Sequence, residues 1–565
     1  MSHVATRTRA LRAAQGHPPD WAVLSLVCLA QFMVVLDIAI VNVALPAIRN
    51  DLGLTTSGMQ WVVNGYAIAF AGFLLLGGRA ADLYGRKRVF LLGLGLFTLA
   101  SLAGGLAQND AWLLAARVAQ GLGGAVLAPA TLTILTTTFP EGPRRARALG
   151  VWSALAGAGG AAGALLGGVL TDLVSWRWIL FVNVPVGVLA FAAAWVLLRD
   201  TRDEGAPRSL DVLGSILVTG GLMMLVYAIV NTENYPWGSA RSVGTLLIAT
   251  VLLVWFVVHE ARSRAPLMPL GIFQRRAVTV SNLIMFLVGA AVFTSWFLLS
   301  LYMQNVLGYS PLKAGLAFLP QTVAIIIGAQ IGARLVPRIG PRPLLLVGPT
   351  ISAAGLFWLS GMGADGTYLG TLFVPGVLVT LGVGLAFTPL AWAATAGVPR
   401  TQAGLASGLI NTTRQVGGAL GLAVLSTVAA DYTRSLLIAE GRPAAAASGQ
   451  TGGTPSAAVA SALASGYGRA FVVASVLSLA AAVTALALPK PAQPATPSPE
   501  PAAHSAGQSP EPAAHSAQDS PESAARTAPR EPAQASALSG LVRVPGESGR
   551  ASGRPLAAPG GTEDE

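Results

Sequence analysis

The chain has 565 residues, of which 53% are hydrophobic and only 11% are charged, and its formal net charge is +11. Because about a quarter of the residues of soluble domains are charged, this composition excludes an ordinary soluble protein and indicates a protein of the lipid bilayer. The single cysteine, Cys28, excludes disulfide bonds within the chain.

Apolar segments follow one another along the chain, and each is long enough to cross about 30 Å of hydrocarbon as a helix. They cover residues 21–48, 58–78, 88–107, 111–137, 147–171, 176–198, 210–231, 241–259, 277–304, 315–334, 343–362, 367–396, 403–430 and 468–489. We therefore predict an all-α integral membrane protein with fourteen transmembrane helices.

The positive charges lie mainly before the first span and in every second connection. These residues are Arg7, Arg9, Arg12, Arg86, Lys87, Arg88, Arg144, Arg145, Arg199, Arg202, Arg208, Arg262, Arg264, Arg275, Arg276, Arg338, Arg342 and Arg400. Because cytoplasmic loops are enriched in Lys and Arg, this pattern places both termini in the cytoplasm. Topology thus explains the net charge, and we expect no nucleic-acid partner.

The spans divide into six, two and six. We predict a cytoplasmic N-terminal tail at 1–20, a six-helix bundle at 21–198, a linker with inserted helices 7 and 8 at 199–262, a second six-helix bundle at 277–489 and a cytoplasmic tail at 490–565. The C-terminal tail has almost no large apolar residues, so we expect it to be disordered. An external loop is expected at 431–467.

Asp37 is the only acidic residue deep inside a predicted span. A rise of about 1.5 Å per residue places it about 16 Å from the outer end of span 1, and places Arg117 of span 4 about 9 Å from the same face. The long arginine side chain can bridge that difference. An ionisable residue within a membrane is a candidate for function, here for proton binding. A static ion pair that only fixes helix register is the alternative.

A motif of glycines and charged residues follows span 2. It consists of Gly78, Asp82, Gly85, Arg86 and Lys87. Gly85 permits a tight turn, and Asp82 is an anion able to meet the positive N-terminal end of another helix. A trace of the same motif follows span 10, where Pro337 stands in place of the acid and Gly340 corresponds to Gly85.

Span 5 carries a series of glycines, which we call the glycine comb: Gly150, Gly159, Gly163, Gly167 and Gly168. Gly159, Gly163 and Gly167 repeat every four residues, so on a helix they share one face. Their missing Cβ atoms allow a neighbouring helix to approach closely. Because 65 of the 565 residues are glycine, a glycine-rich helix without a special role is the alternative.

No motif typical of enzymes occurs in this sequence in a suitable structural context. Gly157-x-Gly159-x2-Ala162 has the spacing of a dinucleotide-binding loop, but it lies inside a membrane span without a preceding strand. The sequence has no G-x4-G-K-S/T phosphate loop, and its five histidines do not cluster with cysteine or carboxylates. We expect neither an enzyme nor a bound cofactor or metal.

These motifs resemble those of the major facilitator superfamily, and in particular its EmrB/QacA group of fourteen-helix drug:proton antiporters. The glycine comb resembles the antiporter signature G-x8-G-x3-G-P-x2-G-G, with Ala164 in place of the proline. Arg117, Gln120 and Gly121 resemble the span 4 signature R-x2-q-G, and the motif after span 2 resembles the superfamily's loop motif. The likeness extends over about residues 20–490, through Gln60-Trp61, Trp176 to Gly187, Gly308 to Gly315 and Gly404 to Gly418.

The resemblance implies a drug:proton antiporter that works by alternating access. Asp37 would carry the proton, Arg117 would tune its affinity, and the motif after span 2 would act as a conformational gate against the start of span 13, near Thr401 to Gly404. The glycine comb would let span 5 pack and flex. Candidates for the lining of the substrate cavity are Asn42, Gln60, Trp61, Gln120, Asn183, Asn411, Arg414 and Gln415.

The expected partners are a small amphipathic substrate, protons and the lipid bilayer. We expect a monomer in the cytoplasmic membrane of a bacterium. Two other functions stay open. One is a proton symporter for uptake, against which the glycine comb argues, and the other is a membrane receptor or scaffold that acts through the tail.

Overall fold

The computed structural model describes residues 19–140, 142–199, 210–233, 235, 237–264, 266–396, 398, 403–442 and 456–489. The expectations for the tail before residue 19, with Arg7, Arg9 and Arg12, and for the tail at 490–565 lie outside the described residues. So do those for Arg202, Arg208 and Arg400.

Long helices form nearly all of the described chain. They are α1 (Asp20–Leu52), α2 (Thr56–Tyr84), α3 (Arg86–Gly105), α4 (Asp110–Thr138), α5 (Pro143–Leu173), α6 (Trp178–Leu197), α7 (Val212–Val230), α8 (Ala240–Arg262), α9 (Arg276–Val306), α10 (Pro311–Ile339), α11 (Pro341–Leu359), α12 (Tyr368–Thr395), α13 (Ala403–Ala439) and α14 (Ala457–Ala487). Each predicted span falls on one of these helices.

Thirteen helices of the described chain, all of these except α5, are long and apolar enough to cross a membrane. In α5 the described apolar part is shorter, Ala158–Leu173. Helix α5 itself spans 31 residues, and its shorter apolar part includes only side chains that the structure describes.

Polar side chains cap the N-terminal ends of several helices that follow short connections. Thr55 Oγ1 accepts a hydrogen bond from Gly58 N at 3.0 Å, and Asn109 Oδ1 accepts one from Trp112 N at 2.8 Å. These N-caps satisfy backbone donors that have no partner within the helix. The chain can therefore reverse direction within a few residues, as antiparallel neighbouring helices require.

The last connection differs from the prediction. Helix α13 continues to Ala439 and α14 begins at Ala457, whereas the sequence predicted a loop at 431–467 and a last span from residue 468. Alanine, the strongest helix former, recurs through the first turns of α14 and favours helix although these residues are only weakly hydrophobic. Residues 443–455 lie outside the described residues.

The two ends of the helix bundle can be named by their residues. The Gly85 end holds the turn between α2 and α3, and the Asp51 end holds the turn between α1 and α2. Gly85 and Gly340 both have positive φ, 100° and 76°, and each lies between two consecutive helices. The repeated motif thus makes the same turn in both halves of the chain.

The protein has two six-helix bundles, one containing α1 to α6 and the other α9 to α14, with α7 and α8 as an inserted pair. The inserted helices pack on each other, and α7 also contacts α2 and α13. The residue bounds given above for these parts stay predictions.

The two bundles touch near the Asp51 end. Ser300 Oγ of α9 donates to Asn42 O of α1 at 2.8 Å, and Gln304 Nε2 donates to Val43 O at 3.0 Å. A Cβ on Gly168 of α5 would lie 2.6 Å from Pro311 O at the start of α10. Backbone groups of the two halves are therefore in direct contact there.

Candidate functional site

A buried network of polar side chains surrounds Asp37 inside the first bundle. Asp37 and Arg117 are 0% and 2% exposed, and Arg117 Nη1 donates to Asp37 Oδ2 at 2.6 Å. Asp37 Oδ1 accepts from Gln120 Nε2 at 2.7 Å and from Asn183 Nδ2 at 2.9 Å. The Asp37 carboxylate thus accepts three N–H donors, one from α6 and two from α4.

Ser101 of α3, which was not predicted from the sequence, completes the network. Its Oγ lies 2.6 Å from Gln120 Nε2 and 3.0 Å from Asn183 Nδ2, so it accepts from the same two amides that bond Asp37. Four helices therefore contribute to one site. A lone serine in an apolar span carries no signal in the sequence that would have identified it.

The other side of the Arg117 guanidinium contacts α2. Arg117 Nε donates to Val62 O at 3.1 Å, and the guanidinium carbon lies 4.5 Å from the centre of the Tyr66 ring. Arg117 also donates to Gln120 Oε1 at 2.7 Å. An ion pair, neutral hydrogen bonds and a cation–π contact therefore position this arginine. A change in the charge of Asp37 would act on this cation.

Buried ion pairs respond strongly to the loss of one charge. Removing one partner of such a pair costs about 3–5 kcal/mol, because the remaining charge is left uncompensated. A proton bound by Asp37 has a related effect, since it neutralises the carboxylate and leaves the cation of Arg117. A change in the charge of Asp37 would therefore disturb the packing of the helices that meet at this network.

The glycine comb supports the turn of α1 that carries Asp37. A Cβ on Gly159 would lie 3.0 Å from Phe32 O, one on Gly163 would lie 2.7 Å from Leu36 O, and one on Gly167 would lie 2.7 Å from Ile40 O. Any larger residue would thus press on the α1 backbone on both sides of Asp37. The contact requires glycine because the two backbones touch.

The remaining two glycines of the comb differ from these three. Gly168 faces Pro311 of α10 in the other bundle, and around Gly150 no atom lies within 4 Å of a Cβ position. The comb therefore combines contacts to two different helices with one unconstrained position.

The motif after span 2 makes contacts within the first bundle. Asp82 and Arg86 form an ion pair with a distance of 3.6 Å, and Lys87 Nζ donates to Trp195 O, in the last turn of α6, at 2.6 Å. A Cβ on Gly78 would make only an ordinary contact, at 3.5 Å from Pro129 Cβ. The predicted partner of Asp82, near residues 401–404, includes residues 401 and 402, which lie outside the described residues.

Arg79, within the same motif, makes a contact that was not predicted from the sequence. Its Nη1 donates to Pro266 O at 2.7 Å, in the connection between α8 and α9. The end of α2 is thereby attached to the segment that follows the inserted pair.

A small cavity of about 20 Å³ lies between the two bundles. Asn42 of α1, Trp296 of α9 and Gln321 of α10 are among its lining residues. Asn42 Oδ1, Trp296 Nε1 and Gln321 Oε1 are all buried without a hydrogen-bond partner among the described residues. Trp296 and Gln321 were not predicted from the sequence, because apolar spans contain many tryptophans and isolated amides.

The other candidates for the cavity occupy different places. Trp61 packs against Tyr227 of the inserted pair with ring centres 6.4 Å apart, and Asn411 is exposed and donates to Ser407 O at 3.2 Å. Four further polar atoms are buried without a partner among the described residues: Gln60 Oε1, Arg414 Nε, and both Oε1 and Nε2 of Gln415. Gln120 and Asn183 belong to the Asp37 network.

Within the described part of the chain, no group of three His, Cys, Asp or Glu side chains could hold a metal ion.

Comparison with known proteins gives the family. Residues 27–422 match the Major Facilitator Superfamily. The chain is 48% identical over 428 residues to the cephamycin export protein CmcT of Amycolatopsis lactamdurans, covering 75% of this chain and 87% of that protein. It is 41% identical over 442 residues to the puromycin resistance protein pur8 of Streptomyces alboniger, covering 77% and 88%.

A third relative is the tetracenomycin C resistance and export protein of Streptomyces glaucescens, which is 37% identical over 416 residues, covering 74% of this chain and 77% of that protein. Among solved structures, a bacterial homologue of the human lysosomal transporter Spinster has a TM-score of 0.59 at 19% identity, covering 84% of this chain and 99% of that chain, which supports the fold. The chain is therefore a multi-pass membrane transporter, not an enzyme, and it belongs to the major facilitator superfamily.

Proposed function

We propose that this transporter exports small amphipathic compounds, antibiotics among them, from bacterial cells in exchange for protons. Three relatives at 37–48% identity are named for export of, or resistance to, cephamycin, puromycin and tetracenomycin C. Since these names differ in the compound, they support a class of substrate rather than one molecule.

The observation that carries the proposal is the Asp37 network. Asp37 is completely buried and accepts three N–H donors, and one of them belongs to the buried cation Arg117. A proton on Asp37 removes the charge that holds Arg117 in place. Proton binding and the packing of α1 against α4 therefore depend on each other, which is the requirement for coupling a proton to a conformational change.

Helix α1 connects this proton site to the cavity between the bundles. Asp37 faces α4 and α6, while Ala39, Asn42 and Val43 of the same helix line the cavity. The glycine comb holds this part of α1 against α5 at backbone distance. A shift of α1 after proton binding would thus directly change the wall of the cavity between the bundles.

We infer from the distribution of positive charge that both termini lie in the cytoplasm, so that the Asp51 end faces outward. The contacts of Asn42, Val43 and Gly168 with the second bundle would then close the central cavity toward the outside. The motif at the Gly85 end would act as the cytoplasmic gate, with Asp82 meeting the start of α13 in the alternate state.

Transport into inside-out membrane vesicles tests the function. Vesicles with an acidic lumen should accumulate puromycin, cephamycin or an amphipathic fluorescent dye such as ethidium, and should release it when nigericin collapses the pH gradient. The Asp37→Asn variant should not accumulate these compounds. Asp51→Asn is the matched control, because Asp51 lies on the same helix and also pairs with an arginine at 2.6 Å, but is exposed at the helix end.

Pump activity that is unchanged in Asp37→Asn would refute the assignment of the proton site. Loss of compound from preloaded vesicles under the same gradient would indicate an uptake symporter instead of an exporter.

A further inference from the structure

Three titratable side chains lie together at the Gly85 end of the inserted pair, outside the Asp37 network. Asp211 caps α7, and its Oδ1 accepts from Gly214 N at 2.8 Å. His259 Nε2 of α8 lies 2.8 Å from the same oxygen. The next residue, Glu260, accepts a hydrogen bond from Met268 N through Oε2 at 3.0 Å. This cluster joins the start of α7, the end of α8 and the connection to α9.

The second oxygen of each carboxylate is buried and unsatisfied. Asp211 and Glu260 are 7% and 2% exposed, and Asp211 Oδ2 and Glu260 Oε1 have no hydrogen-bond partner among the described residues. Both oxygens occupy the space beside Gly214, since a Cβ there would lie 2.9 Å from Asp211 Oδ2 and 2.7 Å from Glu260 Oε1. Two buried oxygens that both only accept cannot stabilise each other while both groups are ionised.

We propose that Asp211 and Glu260 share one proton and form a second proton-binding site, separate from Asp37. The proton adds to one carboxylate, and the resulting O–H donates to the unpartnered oxygen of the other. No other bond forms or breaks. When the proton leaves, two negative charges face each other in a space shielded from water, and their repulsion favours separation of the two helix ends.

The charged groups around this pair define its setting. His259 of α8 faces Asp211, with its Nε2 atom 2.8 Å from Asp211 Oδ1. Arg79 of α2 lies on the other side of the connection, where it bonds Pro266 O at 2.7 Å. Among the described contacts of the pair, His259 is the only ionisable neighbour that bonds it directly.

The pair would control the connection between α8 and α9. Glu260 accepts a hydrogen bond from Met268 N, and Arg79 donates one to Pro266 O. These bonds attach the connection to α8 on one side and to the end of α2 on the other. Leu267, Met268 and Phe273 of this connection line a cavity of about 280 Å³ between α2, the inserted pair, α9 and α13. Release of the proton should loosen this wall of the cavity.

A spin label on the connection measures this directly. Gly271→Cys in a Cys28→Ser background provides a single labelling site, and around Gly271 no atom lies within 4 Å of a Cβ position. In the full-length protein, without substrate, the label should be immobilised at acidic pH and become mobile as pH rises. In Glu260→Gln and in Asp211→Asn, an amide N–H replaces the shared proton at every pH, so the label should stay immobilised throughout.

Two further variants make the test specific. His259→Gln should keep the transition, and Asp37→Asn should keep it as well, so that a failed second site is distinguishable from a failed transport mechanism. A label whose mobility does not depend on pH would overturn the proposal. A transition that persists in both carboxyl variants, or that disappears only in His259→Gln, would also overturn it.

Discussion

A Cβ atom on Gly163 of α5 would lie 2.7 Å from the carbonyl oxygen of Leu36, the residue that precedes Asp37 in α1. The same Cβ would lie 2.7 Å from Ala39 Cβ. The helix that carries the proposed proton site is therefore in backbone contact with the glycine comb, and the size of one side chain on α5 determines how α1 can lie.

Substitution of Gly163 should impair transport in proportion to the size of the new side chain. Overpacking a close interface costs about 1–3 kcal/mol, so Gly163→Ala should reduce export and Gly163→Leu should abolish it. Vesicle transport at matched expression measures the effect. Gly150→Ala is the control, since no atom lies near its Cβ position, and it should leave transport unchanged. Full activity of Gly163→Leu would mean that this contact is dispensable.

Removal of Asn183 from the network should reduce transport. Asn183 donates to Asp37 Oδ1 at 2.9 Å. A hydrogen bond to a charged group contributes about 1.5–3 kcal/mol. Because Asn183→Ala removes one of the three donors of the Asp37 carboxylate, its export activity in inside-out vesicles should fall at matched expression.

The control for this measurement is Asn64→Ala. Asn64 is also a completely buried asparagine, on α2, and its amide has no partner among the described residues. An equal loss of transport in both variants would show that removal of any buried asparagine produces it, and that the bond to Asp37 is not responsible.

Gly168→Leu should weaken the closure between the bundles at the Asp51 end. Its Cβ would lie 2.6 Å from Pro311 O and 2.9 Å from Leu312 Cα, so a large side chain would push α5 and α10 apart. With Thr322→Cys as a reporter in the cavity and Cys28→Ser as background, an impermeant maleimide added outside intact cells should react faster. Gly238→Leu, at an open position, should leave the rate unchanged. Slower labelling in Gly168→Leu would contradict the proposed closure.

Asp82→Asn should shift the transporter toward the state that is open to the cytoplasm. If Asp82 meets the positive start of α13 in the alternate state, loss of its charge removes about 0.3–1 kcal/mol from that state. Labelling of the same Thr322→Cys reporter in inside-out vesicles should then increase. Arg86→Gln breaks the ion pair of Asp82 within the motif. Equal effects of both substitutions would assign the role to that ion pair instead of to α13.

The sequence by itself determined the helical membrane architecture, since hydropathy and charge are properties of each segment and need no partner. It also singled out Asp37 and Arg117, because a charge inside an apolar span is costly wherever the helix packs. The four-residue spacing of Gly159, Gly163 and Gly167 predicted a face for close approach. The α1 turn that this face contacts became known only from the packing of the helices.

The tertiary structure decided which polar groups meet. Ser101, Trp296 and Gln321 have no distinctive sequence neighbourhood, and their roles depend on how each helix is rotated about its axis. Trp61 was a candidate for the cavity lining, and its contact with Tyr227 of the inserted pair likewise became known only from the packing of the helices. Asp211 and Glu260 lie 49 positions apart in sequence, at opposite ends of the inserted pair's helices, and only the antiparallel packing of α7 and α8 brings them together.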